Sequence, residues 1–143
     1  MTARLVACFL LMPALAAQGQ GGEGGEGGLA AAARSAQAAW LAHDPQALVG
    51  QSAAVVLQIP NANASAPLGR AQAVELLRRY LGTATERAVA VRSAREVAPG
   101  TGFVELEREY AVRGTKDVRR ETLFCRFRAV GDHWELTELR AAP

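Results

Sequence analysis

The stretch FVELEREYAVRG, residues 103–114, holds the residue most able to do chemistry in this chain. It alternates as a half-buried strand does. Val104, Leu106, Tyr110 and Val112 share one face, Glu105, Glu107 and Glu109 the other, and Arg108 falls in the apolar row. A guanidinium on an inward face must meet an anion, because burying it unpaired is prohibitively costly. Three placements stay open. A bulge turns Arg108 outward. Or it pairs with an inward carboxylate, for which Glu121 and Glu138 have the parity of inward residues in their own runs. Or it faces an open pocket and grips an anionic ligand bidentately. Tyr110 either donates a hydrogen bond into that space or is a core tyrosine with its hydroxyl at the rim. Arg119 has the parity of Leu123, which in the case of an open pocket would set it at the mouth.

Other chemistry finds less support. Asp44, beside His43, precedes Pro45, and Asp-Pro at a helix start has a complete explanation as an N-cap. The two histidines, His43 and His133, are far apart, and no histidine pair or cysteine cluster has ligand spacing, so no metal and no cofactor is expected. There is no Gly-x-Ser-x-Gly elbow for a nucleophilic serine. Cys125 lies in an apolar run and reads as a small core hydrophobe. The formal net charge of +2 gives no basic field suited to nucleic acid.

These residues need elements to position them. LAAAARSAQAAWLAH, from Leu29, carries Leu29, Ala33, Ala36 and Trp40 at helical spacing. A second, short helix starts at Pro45. AAVVLQIP reads as a strand stopped by Pro60. NANASAPLG is a loop; its sequon at 63–65 matches a glycosylation acceptor but carries little weight here. RAQAVELLRRYLG is the clearest helix, with Ala73, Val74, Leu77, Tyr80 and Leu81 on one stripe and Gly82 at its end. Four β runs follow, at 86–98, 102–113, 118–130 and 133–140, separated by PGTG, RGTKD and GD. Short turns between alternating runs predict an antiparallel meander. The middle runs are about twice the usual strand length, so the sheet is expected to curl around the helices. On its outer face the glutamates of one run oppose Phe124, Arg126 and Arg128 of the next, which suits a solvated face or a dimer surface anchored by Phe103 and Phe124.

The N-terminus has the layout of a secretory signal peptide: Arg4, an apolar run from Leu5 to Leu15, then Ala-Leu-Ala at 14–16. Residues 1–17 are read as a signal peptide, with cleavage after Ala16 or Ala17. The run is too short for a membrane anchor. Cys8 opens the apolar region instead of closing it, which argues against a lipoprotein site. Cleavage leaves Cys125 alone, without a partner for a disulfide. Residues 18–28, QGQGGEGGEGG, read as a disordered glycine-rich linker. The expected product is one soluble domain, residues 29–143, in the periplasm or secreted from a bacterium.

The order helix, short helix, strand, helix, then four antiparallel strands resembles the nuclear transport factor 2-like superfamily, shared by ketosteroid isomerases and SnoaL-type polyketide cyclases. The stretches that carry this are AAWLAHDPQALVGQSAAVVLQIP, GRAQAVELLRRYL and GDHWELTELR. The pairing of AVELLRRYL with the terminal Trp-x-Leu-x-x-Leu pattern is similar to small exported bacterial proteins of that superfamily. The resemblance covers residues 29–141. It implies an α+β fold, with N-terminal helices on a curved antiparallel sheet of four to five strands, a cystatin-like cone. It also implies a pocket between helices and sheet, and a homodimer through the sheet. Arg108, Tyr110, Trp40, Asp44 and Arg119 are the residues expected to line such a pocket, for a small anionic or apolar ligand or a cell-envelope partner. The isomerase catalytic set does not map onto this chain residue by residue. A binding domain is therefore the first expectation, and a cofactor-free isomerase or cyclase using Asp44 or an inward glutamate with Tyr110 and Arg108 the alternative.

Overall fold

The computed structural model describes residues 26–143. The signal peptide and most of the expected linker lie outside them. The chain runs α1 (Glu26–Leu41), α2 (Pro45–Val49), β1 (Ala54–Gln58), β2 (Leu68–Gly69), α3 (Arg70–Leu81), β3 (Ala84–Ala98), β4 (Thr101–Val112), β5 (Val118–Val130) and β6 (His133–Ala142). Helix α1 begins at Glu26, so the last three residues of the expected linker are its first turn. Its stripe of Leu29, Ala33, Ala36 and Trp40 is buried, as the helical spacing requires, and α1 lies chiefly against β3.

Asp44 caps α2: its Oδ1 accepts from the Ala47 N–H at 3.0 Å, and Pro45 takes the first helical position. In α3, Ala73, Val74, Leu77 and Leu81 are buried, while Arg78 and Arg79 reach back to Glu75 on the outer face. Gly82 ends this helix in right-handed conformation, its N–H donating to Arg78 O and the next N–H, of Thr83, to Tyr80 O. Turns after the long strands place Gly100 and Gly131 at φ 73° and 59°, values that side chains resist.

The sheet has six strands in the order β2-β1-β6-β5-β4-β3. It is curved and unclosed. Two expectations are corrected here. The strand number is six, not four to five, because the loop after β1 returns to pair Leu68 and Gly69 with Val55 and Ala54. The sheet is mixed, because β1 runs parallel to β6, with Leu57 opposite Leu139. The meander β3–β6 is antiparallel throughout, as the short turns require.

Inward residues of the meander meet the helices. Val104, Leu106, Leu123, Cys125, Phe127, Leu136 and Leu139 close against Leu29, Ala33, Trp40, Leu77 and Leu81. At about 25 cal/mol per Å² of apolar area removed from water, this layer is the main source of stability. Helix α1 packs tightly on the sheet at Gly102, where an added Cβ would stand 2.5 Å from Leu29 Cδ1. Three register shifts bend β3, at Glu86/Ala88, Val91/Ser93 and Glu96/Ala98, and one bends β6 where Arg126/Phe127 pair with it. Each inserts a residue and resets which face the following side chains point to.

Candidate functional site

Strand β4 keeps strict alternation, with no bulge on its own side chains' faces, so Arg108 points inward between Leu106 and Tyr110. It is 1% exposed. Its direct register partner on β5 is Glu121, whose Oε2 accepts from Arg108 Nη1 at 3.1 Å. A second carboxylate comes from β3. Glu86 accepts from Arg108 Nε at 3.2 Å through Oε2 and from Nη2 through Oε1. The two carboxylate side chains are 3% and 7% exposed. The guanidinium is thus bound on all its nitrogens, twice by one carboxylate.

Aromatic rings complete the enclosure. Arg108 Cζ lies 4.0 Å from the Tyr110 ring centroid, 5.1 Å from that of Trp40 and 5.6 Å from that of Tyr80. Desolvated contacts of this kind are worth about 2 kcal/mol. Trp40 and Tyr80 meet edge to face at 6.4 Å. Trp40 Nε1 has no hydrogen-bond partner among the described residues, so the indole contributes its face and not its N–H. Both tyrosines point their hydroxyls at Glu121: Tyr80 donates to Oε2 at 2.5 Å and Tyr110 to Oε1 at 2.9 Å. Burial and then the hydrogen bond to Glu121 raise both phenols, Tyr80 far above its ordinary range, which keeps them protonated donors.

His43 borders this cluster on the outside. Its Nε2 stands 3.3 Å from Glu86 Oε1, and its side chain is 27% exposed. The residue has φ 52°, in the turn between α1 and α2 where glycine would be unstrained. That conformation faces the ring toward β3.

The sequence candidates separate into two groups. Arg108, Tyr110 and Trp40 come together in the cone. Asp44 is exposed and occupied as the α2 cap, and does not enter the cone. Arg119 is opposite Tyr110 in register but stands at the open end of β5, 60% exposed and paired to Asp117. The bulge in β6 turns Glu138 outward, where it pairs with Arg126. Glu86, Tyr80 and His43 were absent from the sequence-based set around Arg108. Glu86 has the parity of Ala88 and Ala90, which face out, and only the bulge after it brings it inward.

Open space lies elsewhere. A groove of about 1060 Å³ runs between α1, the end of α2 and the β5–β6 hairpin. Ala32, Ala36, Leu48 and Phe127 form its apolar floor, and Ser35, Gln51 and Glu135 its polar edge. His133 stands at the hairpin between Glu135, 3.1 Å away, and Asp132, 3.4 Å away. These two, Glu135 first, hold its imidazolium to higher pH than usual. Cys125 is fully buried, and burial pushes its thiol up to about 12, which makes it inert as a nucleophile. Among the described residues no group of histidine, cysteine and acidic side chains is arranged to hold a metal ion.

No family model matches the sequence, and no curated protein matches it. Solved structures do match the fold. A DUF4783 family protein from Bacteroides uniformis aligns over 76% of this chain and 94% of its own, with TM-score 0.65 and 16% identity. A ketosteroid isomerase-like protein from Erwinia carotovora atroseptica aligns over 80% of this chain and 92% of its own, with TM-score 0.65 and 18% identity. A hypothetical protein with a ketosteroid isomerase-like fold from Catenulispora acidiphila, solved in complex with trimethylamine, aligns over 78% and 84%, with TM-score 0.61 and 17% identity. At these identities the likeness is one of fold. The chain has the nuclear transport factor 2-like, cystatin-like α+β fold.

Proposed function

We propose that this nuclear transport factor 2-like fold serves as an exported, non-catalytic binding domain, and that its ligand sits in the groove between α1, α2 and the β5–β6 hairpin. One observation carries the reading: Arg108 and its partners fill the cone, while the open volume of about 1060 Å³ lies in the groove. An acid–base reaction needs a group free to take or give a proton at the substrate. Glu86 and Glu121 are committed to Arg108, and both tyrosine hydroxyls to Glu121. The cofactor-free isomerase or cyclase alternative therefore has weaker support. So does an anionic ligand on Arg108, whose nitrogens already meet carboxylates. The groove's alanine, leucine and phenylalanine floor suits a small apolar ligand or an apolar segment of a cell-envelope partner.

Binding of an apolar naphthalene fluorophore tests this. Saturable binding that disappears in Ala32→Trp, a variant that fills the groove, is the expected result. Binding that survives the filled groove would sink the assignment. The outer sheet face, where Phe103 and Phe124 stack at 6.1 Å, serves in the same reading as the contact between two copies. Sedimentation at micromolar concentration is expected to show a dimer, and Phe124→Glu a monomer.

A further inference from the structure

We infer that the cone is itself a binding site for a small organic cation, occupied from within by the Arg108 side chain as a tethered ligand. One carboxylate would neutralise a guanidinium, and the cone holds two. Here Glu86 takes Nε and Nη2, Glu121 takes Nη1, and the faces of Tyr110, Trp40 and Tyr80 stand 4.0, 5.1 and 5.6 Å from Cζ. Carboxylates at the edge and aromatic faces around the rest are the chemistry that recognises a guanidinium or alkylammonium ion.

Part of the cage is also held by contacts other than those to its occupant. Tyr80 and Tyr110 donate to Glu121, and His43 reaches Glu86. Trp40 and Tyr80 brace each other edge to face. Removing the arginine head group leaves Glu121 bound by two hydroxyls and Glu86 by His43, around a space that three rings border. Its outer end is at His43, whose side chain is 27% exposed. The ligand class is a cation the size of an arginine head group, and the carboxylates reject anions.

The test uses Arg108→Ala, which deletes the atoms that ethylguanidinium would supply. The full chain and the variant are melted in rising ethylguanidinium chloride, with sodium chloride at matched ionic strength as control. A ligand that binds only the folded state raises Tm in a saturable way. Expected is a saturable rise for Arg108→Ala, no rise for the unmodified chain, and loss of most of the response when Glu86→Gln is added. A rise shared by the unmodified chain, a rise that never saturates, or one indifferent to Glu86→Gln overturns the proposal. Where Arg108→Ala does not fold alone, it is refolded from urea with and without ethylguanidinium. A folded near-ultraviolet signal that appears only with the cation supports the site, and its failure to appear overturns it.

Discussion

Arg108 and Glu121 are direct register partners across β4 and β5, and Arg108 Nη1 donates to Glu121 Oε2 at 3.1 Å beneath the helices. Backbone pairing and charge pairing coincide there. Glu86, joining from β3, gives the guanidinium a second carboxylate and leaves it 1% exposed. Desolvating three charged groups is expensive, so the cluster adds little net stability compared with an apolar core, yet breaking it is severe.

Arg108→Leu is therefore expected to destabilise the fold by about 3–5 kcal/mol, since it strands two buried carboxylates. For a domain of this size that is a Tm drop of roughly 10 °C or more. Adding Glu86→Gln and Glu121→Gln to it should recover part of the loss. Thermal unfolding of the single and triple variants checks both; an unchanged Tm for Arg108→Leu would contradict the geometry described.

High pH should unfold the protein through its tyrosines. Tyr80 and Tyr110 have folded pKa values raised by burial and by Glu121, above the unfolded value of about 10. The folded state keeps protons that the unfolded state releases. Their contribution is fully present below pH of about 10 and is lost as pH rises beyond it. Cys125, pushed up to about 12 by burial alone, acts in the same direction above the ordinary thiol range. Urea unfolding at a series of alkaline pH values is expected to show a falling midpoint, less steep in Tyr80→Phe.

Gly102→Ala should cost about 1–3 kcal/mol, the usual penalty of overpacking. The new Cβ would meet Leu29 Cδ1 at 2.5 Å, and Leu29 is fully buried. Pairing with Leu29→Val should relieve part of the clash, a non-additivity that a double-mutant cycle reads directly.

His133 should titrate above the ordinary histidine range in an NMR pH series, because Glu135 and then Asp132 stabilise its charged form. Glu135→Gln is expected to move the midpoint down. A midpoint unmoved by this substitution would dissociate the ring from the groove's edge.

Expression in a bacterium with an export pathway should yield a product whose first residue is Ala17 or Gln18, following cleavage after Ala16 or Ala17. Intact-mass measurement of the recovered protein decides; retention of Met1 would remove the signal-peptide reading.

Residue patterns alone determined the meander, both main helices, the Asp44 cap and the inward face of β4, because each depends on local periodicity or on a junction only a few residues long. On β4 the alternation of Val104, Leu106, Arg108 and Tyr110 survives folding unchanged, so of the three placements open to Arg108 the pairing with inward carboxylates is the one found. Its partners were legible only in part. Glu121 keeps the parity of Leu123 and Cys125, so it could be named. Glu86 and Glu138 could not be sorted, because bulges in β3 and β6 swap the face on which a side chain emerges. A bulge is set by how two strands pair, and no pattern within one strand reveals it. The same holds for β2, whose two residues form a strand only against β1, and for β1 beside β6, a contact between chain segments about eighty residues apart. Tertiary structure alone decided that the cone is filled and the groove open, since side chains from five different elements (α1, α3, β3, β4 and β5) converge on one guanidinium.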